Sequence, residues 1–280
     1  MLQSIILYLS PGDGIGIRVG LRSQILGVRV SSGAPNFMKK ALILGCSHAA
    51  GAQMSQELPL DFFKNPRDVP AYEGNNSFPV VISRALGYTA LNHSISGGSN
   101  DAMFRVLVDT IDQLCNQDIV IACWTGLDRT EVWYNDETRW LPMSHGQVNV
   151  QSSGPHSVLR QGISLGKQIS NPTQYKEYGR QWMLYESTVE SRQLNKIKNI
   201  LALNTLAQSH GIRVINIDSF NPINNFKWPD NIFWPVPETT FCAWCQQAKF
   251  TTTDCGHYFK SAHKAFADHV LQFISQGAVP

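Results

Sequence analysis

Apolar positions along this chain fall into two alternating kinds of run. Ala41 to Leu44, Asp118 to Trp124 and Ile212 to Ile217 are short, nearly continuous and bounded by turn residues, as strands buried on both faces are. Tyr88 to His93 reads as a further strand. Between them the spacing turns helical. Phe78 to Leu86 is entered through Ser77 with Pro79 in its first turn. Asp101 to Leu114 places Met103, Val106, Leu107, Ile111 and Leu114 on one face. Residues 175–209 read as helix broken once, with Gly211 as the stop. Ala262 to Ile274 closes the chain as a helix whose apolar face carries Phe266, Val270, Phe273 and Ile274. Strands alternating with helices predict an α/β fold, a mostly parallel sheet covered on both sides.

Three stretches depart from the pattern. Residues 130–174 and 219–253 have no clear period and exceed ordinary connections, so they read as insertions over one end of the sheet. Residues 1–37 carry four glycines between positions 12 and 20 and a Ser-Ser-Gly-Ala-Pro run at 31–35. They read as a loose extension or an annotation artefact, with Met38 as the initiator and one domain over 38–280.

Composition narrows the class. The 280 residues are 43% hydrophobic and 16% charged with a net charge of +2, which predicts an ordered globular chain without an electrostatic footprint for nucleic acid. No apolar run reaches the ~18 residues of a membrane span. Ser4 to Leu9 is too short for one and lacks the basic residues that precede a signal-peptide core. The six cysteines are spread too thinly for a disulfide scaffold, so reduced thiols are expected.

Candidate chemistry gathers in three places. Ser47 follows the first strand, at the strand end where open α/β sheets bind ligands; alternatively it only caps the next helix. Asn92 to Asn100 ends a strand in Gly97-Gly98 before a helix, which is either a tight turn or a place where N–H groups face a developing oxyanion. Asp254-Cys255-Gly256-His257 places an acid within one turn of an imidazole. It can fix the ring through Nδ1 and leave Nε2 to take a serine proton, or the two are solvated loop residues.

Gly45-Cys46-Ser47-His48, Asn-x-Ser-Ile-Ser-Gly from Asn92 to Gly97, and Asp254 to His257 followed by His263 together resemble the SGNH (GDSL-type) hydrolases. Gly98 to Asp101 and Trp124 to Arg129 are similar to versions carried by tailed phages and marine bacteria. The resemblance implies a flavodoxin-like, three-layer α/β/α sandwich around a sheet of about five parallel strands. It also implies a cofactor-free serine esterase or carbohydrate-ester deacetylase acting on small esters or acetylated glycans. Ser47 would be nucleophile, His257 base and Asp254 its orienting partner. The N–H groups of Ser47 and Gly97 would serve the oxyanion hole, and His48, Gly98 and Trp124 would line the pocket. The alternative is a glycan-binding or virion structural protein on the same scaffold; the compartment expected is cytoplasmic or virion-associated. One departure is chemical: the family's Gly-x-Asn-Asp reads Gly126-Leu127-Asp128 after Thr125, and leucine has no donor, so Asn100 or Thr125 must fill that place.

A competing site is written in the same region. Cys242, Cys245, Cys255 and His257 are four soft ligands that a structural zinc would take in tetrahedral geometry, at the expense of His257 as a base. Asp128, Arg129 and Glu131 are candidates for an ion pair below the site, and the tryptophans at 124, 133, 140, 228, 234 and 244 lie in or beside the insertions, where they either pack them down or meet a sugar ring.

Overall fold

Side chains alternate across the sheet in step with the sequence, and that alternation builds three layers. The computed structural model describes residues 38–276 apart from 60–61, 63–64, 66–67, 135–138, 145–176, 178, 183–187 and 224–225. The extension 1–37 and most of the insertion at 130–174 lie outside the described residues. Strands β1 (Lys40–Gly45), β2 (Thr89–Asn92), β3 (Ile119–Trp124) and β6 (Arg213–Asp218) form a parallel sheet in the order β2-β1-β3-β6. Where about five strands were expected, the described residues supply four. On the outer edge of β6 the Asn216 N–H donates to the Phe233 carbonyl at 3.1 Å, so irregular chain covers part of that edge.

Ala41 and Ile43 of β1 share one face with Ile119, Ile121 and Cys123 of β3. That face is covered by α3 (Phe78–Ala85), α6 (Phe241–Gln247) and α7 (Lys260–Gln276), through Phe78, Ile82, Phe241, Phe266 and Val270. Leu42, Leu44, Val120, Ala122 and Trp124 point the other way, onto Met103 and Leu107 of α4 (Asn100–Thr110) and Ile200, Leu203 and Ala207 of α5 (Val189–Ser209). The short α1 (Ser47–Ala50) and α2 (Asp68–Asn76) complete the helices used below.

Two stretches expected as loops contain structure. Arg129–Tyr134 (β4) and Arg139–Ser144 (β5) pair as an antiparallel hairpin, and α6 falls within the insertion at 219–253. The hairpin's alternation is obscured in sequence by Arg129 and Glu131, whose charges are used locally: the Arg105 guanidinium meets the Glu131 carboxylate twice at 2.9 Å. The ion pair expected among Asp128, Arg129 and Glu131 is replaced by this one.

The α5 face also buries charge. Lys196, fully buried on α5, pairs with Asp218 at the end of β6, and its Nζ donates to the Asn221 carbonyl at 2.7 Å. Burial raises the Asp218 carboxyl above its usual range, against the opposing pull of Lys196. The pair ties α5 to the chain leaving β6. Lys196→Ala should destabilise by about 3–5 kcal/mol in chemical denaturation, because it strands a buried carboxylate. The double change Lys196→Met with Asp218→Leu should recover most of that loss.

Candidate active site

Crowding at the end of β1 fixes the first candidate residue. A Cβ on Gly45 would lie 2.5 Å from Ala49 Cβ and 3.0 Å from Cys123 Cβ, so only glycine lets the chain turn at once into α1. Cys46 is the N-cap, without a side-chain cap bond, and Ser47 is the first helical residue, 5% exposed. The capping alternative for Ser47 is therefore not what the turn uses. Its hydroxyl makes no hydrogen bond to another described residue, and its N–H belongs to an unsatisfied first turn.

The Asn92–Asn100 segment is lashed to this turn. Ile95 N–H donates to the Gly45 carbonyl at 2.9 Å and Asn92 Nδ2 to the Ala49 carbonyl at 3.1 Å. Gly97 has φ +76°, and its N–H has no partner among the described residues. Gly98, expected at the pocket wall, is buried and spends its N–H on the Ile95 carbonyl at 2.7 Å. Ser99 caps α4 by accepting from the Ala102 N–H, and Asn100 is buried beside it. The Thr125 N–H donates to Asn100 Oδ1 at 2.9 Å, and Thr125 Oγ1 accepts from Arg129 Nη1 at 3.0 Å. Of the two stand-ins for the absent asparagine, Thr125 accepts from Arg129 and keeps its O–H, while Asn100 keeps Nδ2 as a donor with its amide orientation fixed.

His257 is held from two directions. Its backbone N–H donates to Thr253 Oγ1 at 3.2 Å, and the Thr253 N–H to the His257 carbonyl at 2.8 Å. Its ring Nδ1–H donates to Gln53 Oε1 at 3.1 Å, an oxygen that also accepts from Thr253 Oγ1 at 3.0 Å. Nε2 is left buried and without a partner among the described residues. Asp254, expected to orient the ring, is instead exposed and makes no hydrogen bond to it: the turn that closes Thr253 onto His257 aims the acid outward. Gln53 was not among the sequence candidates, since a loop glutamine carries no pattern; its one unusual property, φ +65°, shows only in the fold.

His48 joins the two halves of the site. Its ring lies 4.9 Å from that of His257 and 4.9 Å from that of Phe220, and its Nε2 is 3.6 Å from Cys242 Sγ. Burial, with the nearby His257, His263 and Arg129, holds its imidazole well below the usual histidine range. Burial and then Arg129 bring His257 down to about 4. Both rings are therefore neutral at pH 7. The residue adjoining Ser47 thus touches His257, but no hydrogen bond joins Ser47 Oγ to His257 Nε2.

Other expected members lie elsewhere. Trp124 is fully buried and donates its indole N–H to Asn216 Oδ1 at 3.0 Å, so it belongs to the core and not to a pocket. The alternative zinc set does not converge: Cys242 faces His48, Cys245 is buried in the α6 core and Cys255 is exposed, and no group of three such ligands forms among the described residues. Trp228 and Trp234 pack on each other at 5.4 Å, and Trp244 on Phe250 and Phe266. An apolar cavity of about 460 Å³ lies at the opposite, N-terminal end of the strands, between Ile119, Arg213 and Phe233. Another of about 700 Å³ borders the rim through Leu127, Arg129 and Thr130.

No protein-family model matches this sequence, and no curated protein matches it. The fold is similar to that of several solved structures. TesA is 13% identical, with 85% of this chain and 99% of that chain covered and a TM-score of 0.43. A psychrotrophic esterase EstA from Pseudoalteromonas sp., inhibited by monoethylphosphonate, is 12% identical over 85% and 97%, with a TM-score of 0.41. A member of the lipolytic protein G-D-S-L family from Veillonella parvula is 10% identical over 85% and 100%, with a TM-score of 0.34. Identities this low and superpositions this loose assign no activity, and what the chain can do is decided by its own side chains.

Proposed function

We propose that the chain is a serine ester hydrolase of the SGNH type, with Ser47 as nucleophile and His257 as general base. The observation that carries this reading is the state of His257. Its Nδ1 is committed to a hydrogen bond, while its Nε2 is bare, buried and located at the strand end that bears Ser47. A ring in that tautomer is ready to accept a proton and has no other use for the lone pair.

On this reading Ser47 Oγ attacks the ester carbonyl as its proton passes to His257 Nε2. The same proton is then delivered to the departing alkoxide, leaving an acyl-enzyme. Water attacks the acyl carbon with His257 again as base, and the acid leaves. The N–H groups of Ser47 and Gly97 and the Asn100 Nδ2 group are the donors available to the oxyanion. Small esters and acetylated glycans are the proposed substrates.

A fluorophosphonate probe should label the protein at Ser47, with labelling abolished in Ser47→Ala and slowed at least about 100-fold in His257→Ala. Absence of labelling in the unaltered protein would leave the binding-protein alternative standing. Asn100→Leu should lower kcat by about 10²–10³-fold with little change in KM, the loss expected for one oxyanion donor. The base works when unprotonated and its pKa is depressed, so the acid limb of kcat/KM should fall near pH 4 and not near 6.5. Arg129→Gln should move that limb upward.

A further inference from the structure

We propose that Gln53, a neutral carboxamide, is the positioning residue that sets the tautomer of His257, in place of a carboxylate. The inference rests on the reading of His257 as base and concerns how that base is held. Gln53 follows α1 directly in the turn Gly51–Gln53, so the short helix that presents Ser47 also leads into the group that orients the imidazole. Gly51 and Gln53 both have positive φ, at +75° and +65°. At Gly51 a Cβ would come within 2.2 Å of the Glu73 carbonyl oxygen, so α2 fixes the path of this turn. For a side chain other than glycine, Asn or Asp, a left-handed conformation is unusual, and the fold holds Gln53 there.

The hydrogen bonds close a ring. His257 Nδ1–H and Thr253 Oγ1–H both donate to Gln53 Oε1, and Thr253 Oγ1 accepts from the His257 backbone N–H. With Oε1 on this side, the oxygen's two lone pairs are both used, one by the ring N–H and one by the Thr253 hydroxyl. The titratable and charged groups about the ring are His48 of α1, Arg129 of β4 and His263 of α7, with Cys242 of α6 on the far contact of His48. None of these is an anion, since burial holds the Cys242 thiol up at about 12. An orienting carboxylate would fix the same tautomer and would also stabilise the imidazolium. An amide oxygen does the first and very little of the second.

The test compares three variants of the full chain by ¹⁵N NMR of the imidazole and by kinetics on an activated acetyl ester. Gln53→Gly removes the acceptor at a backbone position that favours glycine, which protects folding. It should convert His257 from a single Nδ1–H tautomer to a mixture and lower kcat about 10²-fold or more, with KM nearly unchanged. Gln53→Glu should keep the tautomer and raise the His257 midpoint by a unit or more, moving the acid limb of kcat/KM with it. Asp254→Ala should change neither readout. The proposal is overturned if Asp254→Ala shifts the His257 titration while Gln53→Gly leaves the tautomer intact. Were the NMR results as expected but Ser47 inert to the fluorophosphonate, the hydrolase reading would fail and the positioning of His257 by Gln53 would stand.

Discussion

The close approach of β1, α1 and β3 at Gly45 is the constraint on which the arrangement depends. With no Cβ at this residue, Ala49 sits directly over the strand end and Ser47 enters the helix within two residues of the sheet. The Gly45 carbonyl then takes the Ile95 N–H, which brings Gly97 and the start of α4 to the same rim. Neighbouring strands end in register with it, Gly45 opposite Cys123 and Trp124 opposite Asp218. The strand order changes direction at β1, with β2 on one side and β3 on the other, so the crevice that opens there is where an α/β sheet holds a ligand. Sheet geometry thus selects this site over the apolar cavity at the opposite end of the strands, whose walls offer little chemistry.

Burial sets the electrostatic character of the site. His48, His257 and His263 form a group of imidazoles walled by Phe220, Phe241 and Tyr258, and each is pushed towards its neutral form. His263 shows the structural version of this state. Its Nδ1 accepts from the Phe78 N–H at 3.1 Å and its ring packs on Phe78 and Phe241, so its lone pair is already used. His257 occupies similar surroundings with its Nε2 lone pair unused. That difference, and not exposure or a depressed pKa, separates His257 from His263; His48 also has an unpartnered ring nitrogen among the described residues, Nδ1.

Much of this was legible in the chain because it depends on local rules. Three of the four sheet strands announce themselves as apolar runs, and Ser77-Phe78-Pro79 and Ser99-Asn100 mark helix starts where the helices begin. Ser47 and His257 could be singled out because each sits in a short spacing motif. What escaped depends on contacts distant in sequence. Gln53 and His257 are joined across 204 positions, and nothing local to either predicts the other. Asp254 misled because the spacing within one turn shows only that an acid can reach the ring. The hydrogen bonds of Thr253 determine that it does not. Trp124 misled similarly: a tryptophan at a strand end reads as pocket wall, but the alternation of β3 turns it inward, where Asn216 takes its N–H.

The two departures from the pattern expected of an SGNH-type site have one physical form. At His257 a neutral amide stands where an acid was expected, and on the proposed reading an amide on α4 would serve the oxyanion in place of one after β3. In the first case the carboxylate would have had to be desolvated among buried aromatic rings, and in the second Leu127 brings no polar group to desolvate. Asn100 suits that proposed role because the Thr125 N–H pins its oxygen and leaves the NH₂ group as the donor. Gln53 can substitute only because Thr253 supplies its second hydrogen bond. In each case a flexible amide becomes a defined donor or acceptor through one partner on the facing loop. The precision of the proposed site therefore resides in Thr125 and Thr253 as much as in the amides they hold.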